Sequence, residues 1–276
     1  MITFKDEFFN VYDTLNCGQV FRFDKLDGGE FLVKSKDKTA ILKTRDGNVT
    51  IDSSDDEYFK NYFDLSKDYA KIINDVSACG VEKVRISAQK YKGIRILKQD
   101  AEEAFFSFIV SQNNNIPKIK STIEKLCIAL GEKRNFRGYD YYTFPTAKVF
   151  ACCDDEVLKK AGLGYRAEYI KKSAEKILGG EIDFAYLNTL DTESLKKELL
   201  KIKGVGDKVA NCVTLFGFSR SDSFPVDTWI EKIYREDFAG TLSDRKKINR
   251  FFLDTFKENS GYVQQYLFYA KRENFI

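Results

Sequence analysis

A lysine and an aspartate have the types and the setting for nucleophilic and acid–base chemistry. Lys208 opens a predicted helix directly after a glycine turn at 204–206, and Asp227 follows one predicted helix later, behind Pro225. A neutral amine can attack an electrophilic carbon, and a carboxylate can stabilise a developing cation or assist proton transfer. The helix dipole favours the neutral amine and Asp227 favours the ammonium, so the resting protonation state of Lys208 stays open.

Both residues also have ordinary structural interpretations. Most lysines are solvated surface cations, and Asp227 in Pro-Val-Asp-Thr is a favoured helix N-cap. Capping and catalysis are compatible, because a capping carboxylate is held in one orientation.

The glycine turn predicts a helical hairpin. Leu195, Leu199 and Ile202 share one face of the preceding helix, and Gly204 and Gly206 permit positive φ at the reversal. The turn amides would then form an anion nest that binds a phosphate. A plain αα-corner is the competing interpretation, and it is the better one for an isolated Gly-Val-Gly. Five lysines surround the turn, which is typical either of a phosphate-facing patch or of a solvated face: Lys196, Lys197, Lys201, Lys203 and Lys208.

Composition excludes several classes of protein. The 276-residue chain has no histidine, which excludes Ser-His-Asp and Cys-His catalysis and histidine-bearing zinc sites. No run of about 18 apolar residues predicts a membrane span, and the N-terminus lacks a signal-peptide core, so an intracellular protein is expected. A net charge of +3 is too small to indicate nucleic-acid binding by itself.

The six cysteines predict neither a zinc ribbon nor a redox motif. No Cys-x-x-Cys occurs, and no cysteine follows Cys212, where an iron–sulfur cluster would need its ligands. We therefore expect no iron–sulfur cluster and mostly reduced, buried thiols.

The pattern of apolar residues predicts an α+β fold. Short β-branched runs at 31–35, 39–44 and 48–52, separated by Asp-Gly turns, predict an antiparallel sheet. Beyond residue 98 the period becomes helical, beginning with a capping box of Asp100 and Glu103. Further helices are predicted at these positions: 55–63, 67–78, 119–130, 165–178, 187–202, 229–238 and 246–256. The predicted domains are therefore an antiparallel sheet domain with flanking helices at 1–97 and an all-helical domain at 98–276, with the hairpin at about 195–215.

Five segments outside the hairpin form a specific pattern. They are Cys17-Gly-Gln-Val-Phe-Arg-Phe, Ile94-Arg-Ile-Leu-Lys-Gln-Asp, Phe105-Phe-Ser-Phe-Ile-Val-Ser-Gln-Asn-Asn-Asn-Ile, Gly162-Leu-Gly-Tyr-Arg-Ala-Glu-Tyr and Gly261-Tyr-Val-Gln-Gln-Tyr-Leu-Phe. Together with the hairpin, its lysine and its aspartate, they make the chain similar to the 8-oxoguanine DNA glycosylase/AP lyases of the helix-hairpin-helix (HhH-GPD) superfamily. The hairpin alone indicates only the superfamily, and the five segments are more specific. The resemblance implies a twisted sheet domain followed by a helical glycosylase domain, and base-excision repair by nucleotide flipping.

The resemblance also implies roles for individual residues. Lys208 would form a Schiff base with the sugar and permit β-elimination, with Asp227 as the essential carboxylate. Four residues would bind the base: Gly18 through its carbonyl, Phe268 by stacking, Cys212 on the opposite base face and Gln264 at the pairing edge. Without the resemblance, these four are interpreted as a loop glycine, a core phenylalanine, an inert buried thiol and a solvated glutamine.

Further residues would contact DNA. The resemblance assigns Asn113, Tyr165 and Arg166 to the gap and the orphaned base, whereas a C-cap, a core tyrosine and a surface cation are the alternatives. Gly204 and Gly206 would bind phosphate. Three positions depart from the family: Lys118 replaces an arginine that reads the partner cytosine, Trp229 replaces a phosphate-contacting histidine, and Lys271 replaces an acid.

The expected partner is double-stranded DNA containing 8-oxoguanine, bound by a monomer without contact to a membrane. No cofactor is expected, except a monovalent cation at the hairpin. Two alternatives stay open: a glycosylase for a formamidopyrimidine or an oxidised pyrimidine, and a non-catalytic DNA-binding protein. Lys208 and Asp227 together argue against the second, because phosphate binding needs neither residue there.

Overall fold

An antiparallel five-stranded sheet forms the N-terminal part of the computed structural model, which describes residues 1–5 and 7–276. The strands lie in the order β1-β5-β4-β3-β2. Their bounds are β1 Ile2–Lys5, β2 Phe23–Lys25, β3 Phe31–Ser35, β4 Lys38–Arg45 and β5 Asn48–Ser53. The three predicted strands are confirmed as β3, β4 and β5, and the short strands β1 and β2 at the two edges escaped the sequence pattern.

Helices make up most of the remaining chain. Before residue 98 they are α1 Val11–Asn16, α2 Asp56–Tyr62, α3 Tyr69–Ser77 and α4 Glu82–Lys90. After it come α5 Ala101–Val110, α6 Ile116–Leu130, α7 Ala147–Cys152, α8 Asp155–Lys160, α9 Arg166–Leu178, α10 Phe184–Thr189, α11 Thr192–Leu200, α12 Asp207–Phe216, α13 Thr228–Asp237, α14 Arg245–Phe256 and α15 Ser260–Arg272. The α+β fold class is therefore confirmed. No helix among these residues is long and apolar enough to cross a membrane.

Two local predictions need correction. The helix predicted at 187–202 is two helices, because the Asp191 carboxylate accepts bonds from the amides of Glu193 and Ser194 and starts α11 anew. Asp100 caps α5 as predicted, through the Glu103 amide. The capping box is nevertheless incomplete, because the Glu103 carboxylate pairs with Arg22 instead of returning a bond to Asp100.

A β-hairpin interrupts the helical part between α6 and α7. Strands β6 Lys133–Phe136 and β7 Tyr139–Tyr142 are joined by Arg137 and Gly138, both with positive φ, as a tight two-residue turn requires. The hairpin contacts the large sheet: Arg137 binds Asp52 at 2.8 Å.

The boundary between the two hydrophobic cores does not coincide with the predicted change from strands to helices near residue 98. The sheet core contains α1, α2 and the inner sheet face and ends at Leu97. Residues of α3 and α4 belong to the larger helical core, where α4 packs on α15. The buried Arg22–Glu103 ion pair, at 3.1 Å, joins the sheet side to α5. The helical core and this pair place the hairpin helices beside the N-terminal segment that carries Gly18.

Candidate active site

The predicted hairpin consists of α11, a turn and α12. Leu195 and Leu199 are buried on α11, as the pattern predicted. Gly204 has φ +87°, and a side chain there would overlap the ring of Tyr169, so the turn requires glycine at this position. Gly206 differs from the expectation: its φ is −96°, and a Cβ at this position would meet nothing within 4 Å. Its missing side chain leaves open space at the N-terminus of α12.

Lys208 lies in the first turn of α12 with its amine held from the neighbouring helix. Its Nζ donates to Ser111 Oγ at 3.0 Å and lies 5.3 Å from the centroid of the Phe108 ring. Ser111 is itself buried and donates to the Phe108 carbonyl, which leaves its oxygen free to accept from the amine. The segment 105–116 was quoted for the resemblance, but nothing in the sequence singled out Ser111.

Asp227 is the N-cap of α13, as its sequence context indicated. One carboxylate oxygen accepts from the Ile230 amide at 3.0 Å. Burial raises the pKa of Asp227 above its ordinary value, against the opposing effects of that hydrogen bond and of the Lys208 ammonium. A partly buried carboxylate with a raised pKa, near a lysine amine, is a typical catalytic arrangement.

Buried polar side chains hold the Asp227 segment against α12. Asn211 donates to the Asp207 carbonyl, and its own carbonyl oxygen accepts from Ser223 at 3.0 Å. Asn249 of α14 donates to the Phe224 carbonyl. These bonds fix the loop segment that leads to Asp227. Asn211 lies within the predicted hairpin at about 195–215, but its partners Ser223 and Asn249 carried no signal in the sequence.

A cleft of about 1030 Å³ joins the predicted catalytic and recognition residues. Lys208 and Asp227 line it together with Ser111. Five other predicted residues also line it: Gly18, Asn113, Gly206, Trp229 and Phe268. Trp229 is the second residue of α13 and is partly exposed at the rim. The cleft thus brings together predicted residues as far apart in the chain as Gly18 and Phe268.

Gly18 also lines the cleft and has φ +87°. A Cβ at this position would be 3.2 Å from the Phe268 ring and 3.3 Å from Ile116 Cδ1. Because Gly18 has no side chain, a ligand in the cleft can approach its backbone closely, next to the ring of Phe268.

Buried amides fix the loop of residues 17–19, which we call the recognition loop. Gln265 donates to the Cys17 carbonyl at 2.8 Å. Gln19 donates to the Arg95 carbonyl at 2.7 Å and accepts from the Leu97 amide, and Gln99 donates to the Gln19 carbonyl. Gln19 was part of a quoted motif, whereas Gln265 lies beside the predicted Gln264 and was missed because its partner is at the other end of the chain.

Gln264 and Cys212 are both buried beneath the walls of the cleft rather than on its surface. The Gln264 Oε1 has no hydrogen-bond partner among the described residues. An unpaired buried amide oxygen is costly, which is a reason to look for a ligand that supplies a donor. Burial raises the pKa of the Cys212 thiol despite the nearby Lys208 ammonium, so the thiol is neutral beneath the cleft wall.

The loop between α5 and α6 carries Asn113, which has φ +44°. Asn113 donates to the Tyr165 hydroxyl at 3.1 Å, and both side chains are exposed. Arg166 is buried instead, and it donates to the carbonyls of Gln112, Asn113 and Leu163. In this structure Arg166 holds the loop that presents Asn113, while Tyr165 and Asn113 face solvent.

The two other departures from the family lie outside the cleft lining. Lys118 is exposed in the first turn of α6. Lys271 is buried and pairs with Asp237 at 2.8 Å and Glu236 at 3.0 Å, so it joins α15 to α13. Around the hairpin, three of the five lysines pair with carboxylates: Lys197, Lys201 and Lys203. Within residues 1–5 and 7–276, no group of three metal-ligating side chains comes together.

Two family models cover the chain from residue 1 to residue 258. The model for the 8-oxoguanine DNA glycosylase N-terminal domain matches residues 1–105, and the model for the HhH-GPD superfamily base excision DNA repair proteins matches residues 106–258. The chain belongs to the HhH-GPD superfamily of base excision DNA repair proteins.

Within that superfamily the chain is similar to 8-oxoguanine glycosylases. The Clostridium acetobutylicum 8-oxoguanine glycosylase/lyase, solved with double-stranded DNA containing cytosine opposite 8-oxoguanine, is 34% identical; the match covers 97% of this chain and 93% of that one, with a TM-score of 0.92. A probable N-glycosylase/DNA lyase of Methanothermobacter thermautotrophicus is 30% identical, over 67% of this chain and 66% of the relative. The N-glycosylase/DNA lyase OGG1 of Arabidopsis thaliana is also 30% identical, over 67% and 53%. The match spans about half to two thirds of the length of these curated relatives.

Proposed function

We propose that this protein is a bifunctional DNA glycosylase/AP lyase that removes 8-oxoguanine from duplex DNA. The observation that carries the proposal is the shared cleft: a lysine amine held by Ser111, a partly buried Asp227 carboxylate with a raised pKa, and Gly18 of the recognition loop all line one space. Its volume suits a nucleotide that has been flipped out of the duplex. The similarity to a solved 8-oxoguanine glycosylase/lyase over 97% of the chain supports this choice of substrate.

In the proposed reaction Lys208 is the nucleophile. The amine nitrogen bonds to the sugar carbon as the bond from that carbon to the base breaks, and the departing base takes the electron pair and a proton. Opening of the sugar ring gives a Schiff base, and loss of the neighbouring ring-carbon proton expels the 3′ phosphate by β-elimination. Asp227 stabilises the cationic sugar and assists the proton transfers.

Recognition of the lesion is assigned to the part of the cleft that Gly18 and Phe268 line. In 8-oxoguanine N7 carries a hydrogen, whereas in guanine N7 is an acceptor, so a backbone carbonyl that only accepts discriminates between them. We assign this role to the carbonyl of Gly18. Phe268 would stack on one face of the base, Cys212 would lie against the opposite face, and Gln264 would bind the pairing edge. The unpaired Gln264 Oε1 supports the last assignment.

The hairpin turn is the proposed phosphate site, together with a monovalent cation. Among the described residues, no hydrogen bond occupies the carbonyls of Lys203, Gly204 and Val205, and the space beside Gly206 is open. These carbonyls fit such an ion and would hold it between the turn and a DNA phosphate, where its charge would offset that of the phosphate.

We further propose that the protein acts as a monomer and that Asn113 and Tyr165 fill the gap left by the flipped base. Lys118 would contact the partner strand without the planar fork of an arginine, which predicts loose selectivity for the opposite base. Excision from duplexes with 8-oxoguanine paired in turn with C, A, G and T tests this selectivity.

Borohydride trapping tests the chemistry. The wild-type protein should form a covalent complex with an 8-oxoguanine duplex, because borohydride reduces the Schiff base to a stable amine. Lys208→Gln should lower trapping by about a thousandfold or more, since among the described residues no other amine donates to Ser111. Lys203→Gln is the matched control: this lysine flanks the same turn but pairs with Glu168 on the surface, and its variant should trap normally.

Undiminished trapping by Lys208→Gln would remove Lys208 from the mechanism. If the wild-type protein binds DNA without releasing any base, the non-catalytic alternative is correct. If a formamidopyrimidine or an oxidised pyrimidine is released faster than 8-oxoguanine, that lesion is the substrate instead of 8-oxoguanine.

A further inference from the structure

The last residue of α15, Arg272, lies in the same cleft wall as Gly18 and Phe268. Its guanidinium carbon is 5.9 Å from the Phe268 ring centroid. Its Nη1 lies 3.6 Å from the position that a Gly18 Cβ would occupy. A guanidinium therefore borders the place where the recognition loop approaches a bound base.

The guanidinium is held on one side and free on the other. Its Nη2 donates to the Asn16 carbonyl at 2.5 Å and to the Glu273 carboxylate at 3.1 Å, and its Nε donates to the same carboxylate. Within residues 1–5 and 7–276, Nη1 has no hydrogen-bond partner. The arginine side chain is only 19% exposed. Two oriented donors are thus available beside Gly18.

Spacing along α15 places Arg272 relative to a base. Gln264, Phe268 and Arg272 follow at intervals of four residues, so they share one helix face at steps of about 6 Å. If Phe268 stacks on the base and Gln264 faces its pairing edge, then Arg272 faces the opposite end of the purine. That end carries the C8 oxygen, next to the N7 hydrogen that Gly18 would accept.

We propose that Arg272 is a specificity-determining residue that donates a hydrogen bond from Nη1 to the C8 oxygen of 8-oxoguanine. This inference rests on the proposed function and extends its base pocket. Guanine carries only a hydrogen at C8, so Arg272 would add a second distinction beside the N7 test made by Gly18. A charged donor beside a carbonyl oxygen forms one of the stronger kinds of hydrogen bond.

Single-turnover kinetics on two duplexes test the proposal. The first contains 8-oxoguanine opposite cytosine, and the second contains a preformed abasic site, which needs the lyase step but no base pocket. Arg272→Met should slow base release by about 10- to 100-fold and leave β-elimination at the abasic site within about twofold of wild type. Arg272→Lys keeps the charge but loses the planar fork of the guanidinium, so its rate of base release should lie between those of the wild type and Arg272→Met.

Arg85→Met provides the control, because Arg85 is also a helix arginine paired with a near neighbour, Glu82, but lies outside the cleft. It should leave both rates unchanged. A parallel measurement in the Lys208→Gln background compares affinity for 8-oxoguanine and guanine duplexes, and Arg272→Met should narrow that ratio by about tenfold.

Equal losses on both duplexes would overturn the proposal, since they would mean that Arg272 only ties α15 to Asn16. Unchanged base release or an unchanged affinity ratio would overturn it as well. No release of 8-oxoguanine by the wild-type protein would instead overturn the proposed function, and this inference with it.

Discussion

The hairpin side of the cleft comes from one stretch of chain, whereas the recognition side joins residues from both ends of it. Lys208 and Asp227 are separated by a single helix and a short loop. Gly18 meets Phe268, and Cys17 is held by Gln265, across almost the full length of the protein.

The two sides also differ in how they are held. On the hairpin side, buried polar bonds hold the Asp227 segment, but among the described residues the Lys208 amine itself has one hydrogen bond, to Ser111. The recognition loop is enclosed by several buried amide bonds, including those of Gln19. A nucleophile must move during the reaction, but a carbonyl that distinguishes one hydrogen must stay in place. We infer that the sparsely held amine performs the chemistry and the firmly held loop selects the lesion.

The largest expected effect separates chemistry from structure on the hairpin side. Asp227→Asn should slow base release by about 100- to 10,000-fold in single-turnover assays, because the amide cannot stabilise a cationic sugar. Asparagine is also a good N-cap, so the fold should persist. Asp244→Asn makes the same exchange at the cap of α14, where the side chain accepts from the Lys246 and Lys247 amides, and it should leave the rate unchanged. Equal activity of both variants would refute the role of Asp227.

The pH dependence follows from the same carboxylate. Burial raises the pKa of Asp227 above the ordinary value of 3.8, and the reaction requires the charged form. Base release should therefore fall as pH decreases through this raised pKa, at a higher pH than an exposed aspartate would give. This loss of rate at low pH should be absent from the residual activity of Asp227→Asn. If the loss persists in that variant, another group is responsible for it.

An intermediate effect is expected on the recognition side. Gly18→Ala places a Cβ 3.2 Å from the Phe268 ring at a residue with φ +87°, so both the backbone and the base pocket must shift. Base release should fall by about 10- to 100-fold while cleavage at a preformed abasic site stays close to normal. Gly28→Ala has nearly the same φ, +81°, but no atom within 4 Å of the new Cβ, and it controls for backbone strain. A loss of abasic-site cleavage in Gly18→Ala would show that the two sides are not separable.

The smallest effect distinguishes the two hairpin glycines. Gly206→Ala should leave the thermal unfolding midpoint unchanged and weaken duplex binding only a few-fold, because its Cβ enters open space where a phosphate would approach. Gly204→Ala should destabilise the fold by about 2 kcal/mol or more, because it strains a positive φ and overlaps Tyr169. Calorimetry and binding at several salt concentrations measure the two effects, and the reverse pattern would contradict the assignment of Gly206 to phosphate.

The sequence predicted the elements whose signals are local. The β-branched strands, the cap at Asp100 and the helices around Lys208 all depend on neighbouring residues. The β6–β7 hairpin was missed because polar and aromatic residues follow each other there without a buried face of their own. Ser111, Gln265 and Arg272 could not be found because each acts on a partner far away in sequence, and only packing of the helices brings the partners together.

Arg22 and Glu103 lie on opposite sides of the predicted boundary at 97–98, yet each is the other's buried counter-ion. Cutting the chain there would leave an uncompensated charge in each fragment, at a cost of about 3–5 kcal/mol. The predicted boundary at 97–98 therefore does not separate two parts that are stable independently of each other. We infer that the sheet and the helices unfold together, so a pocket assembled from both chain ends would lose both of its walls at once.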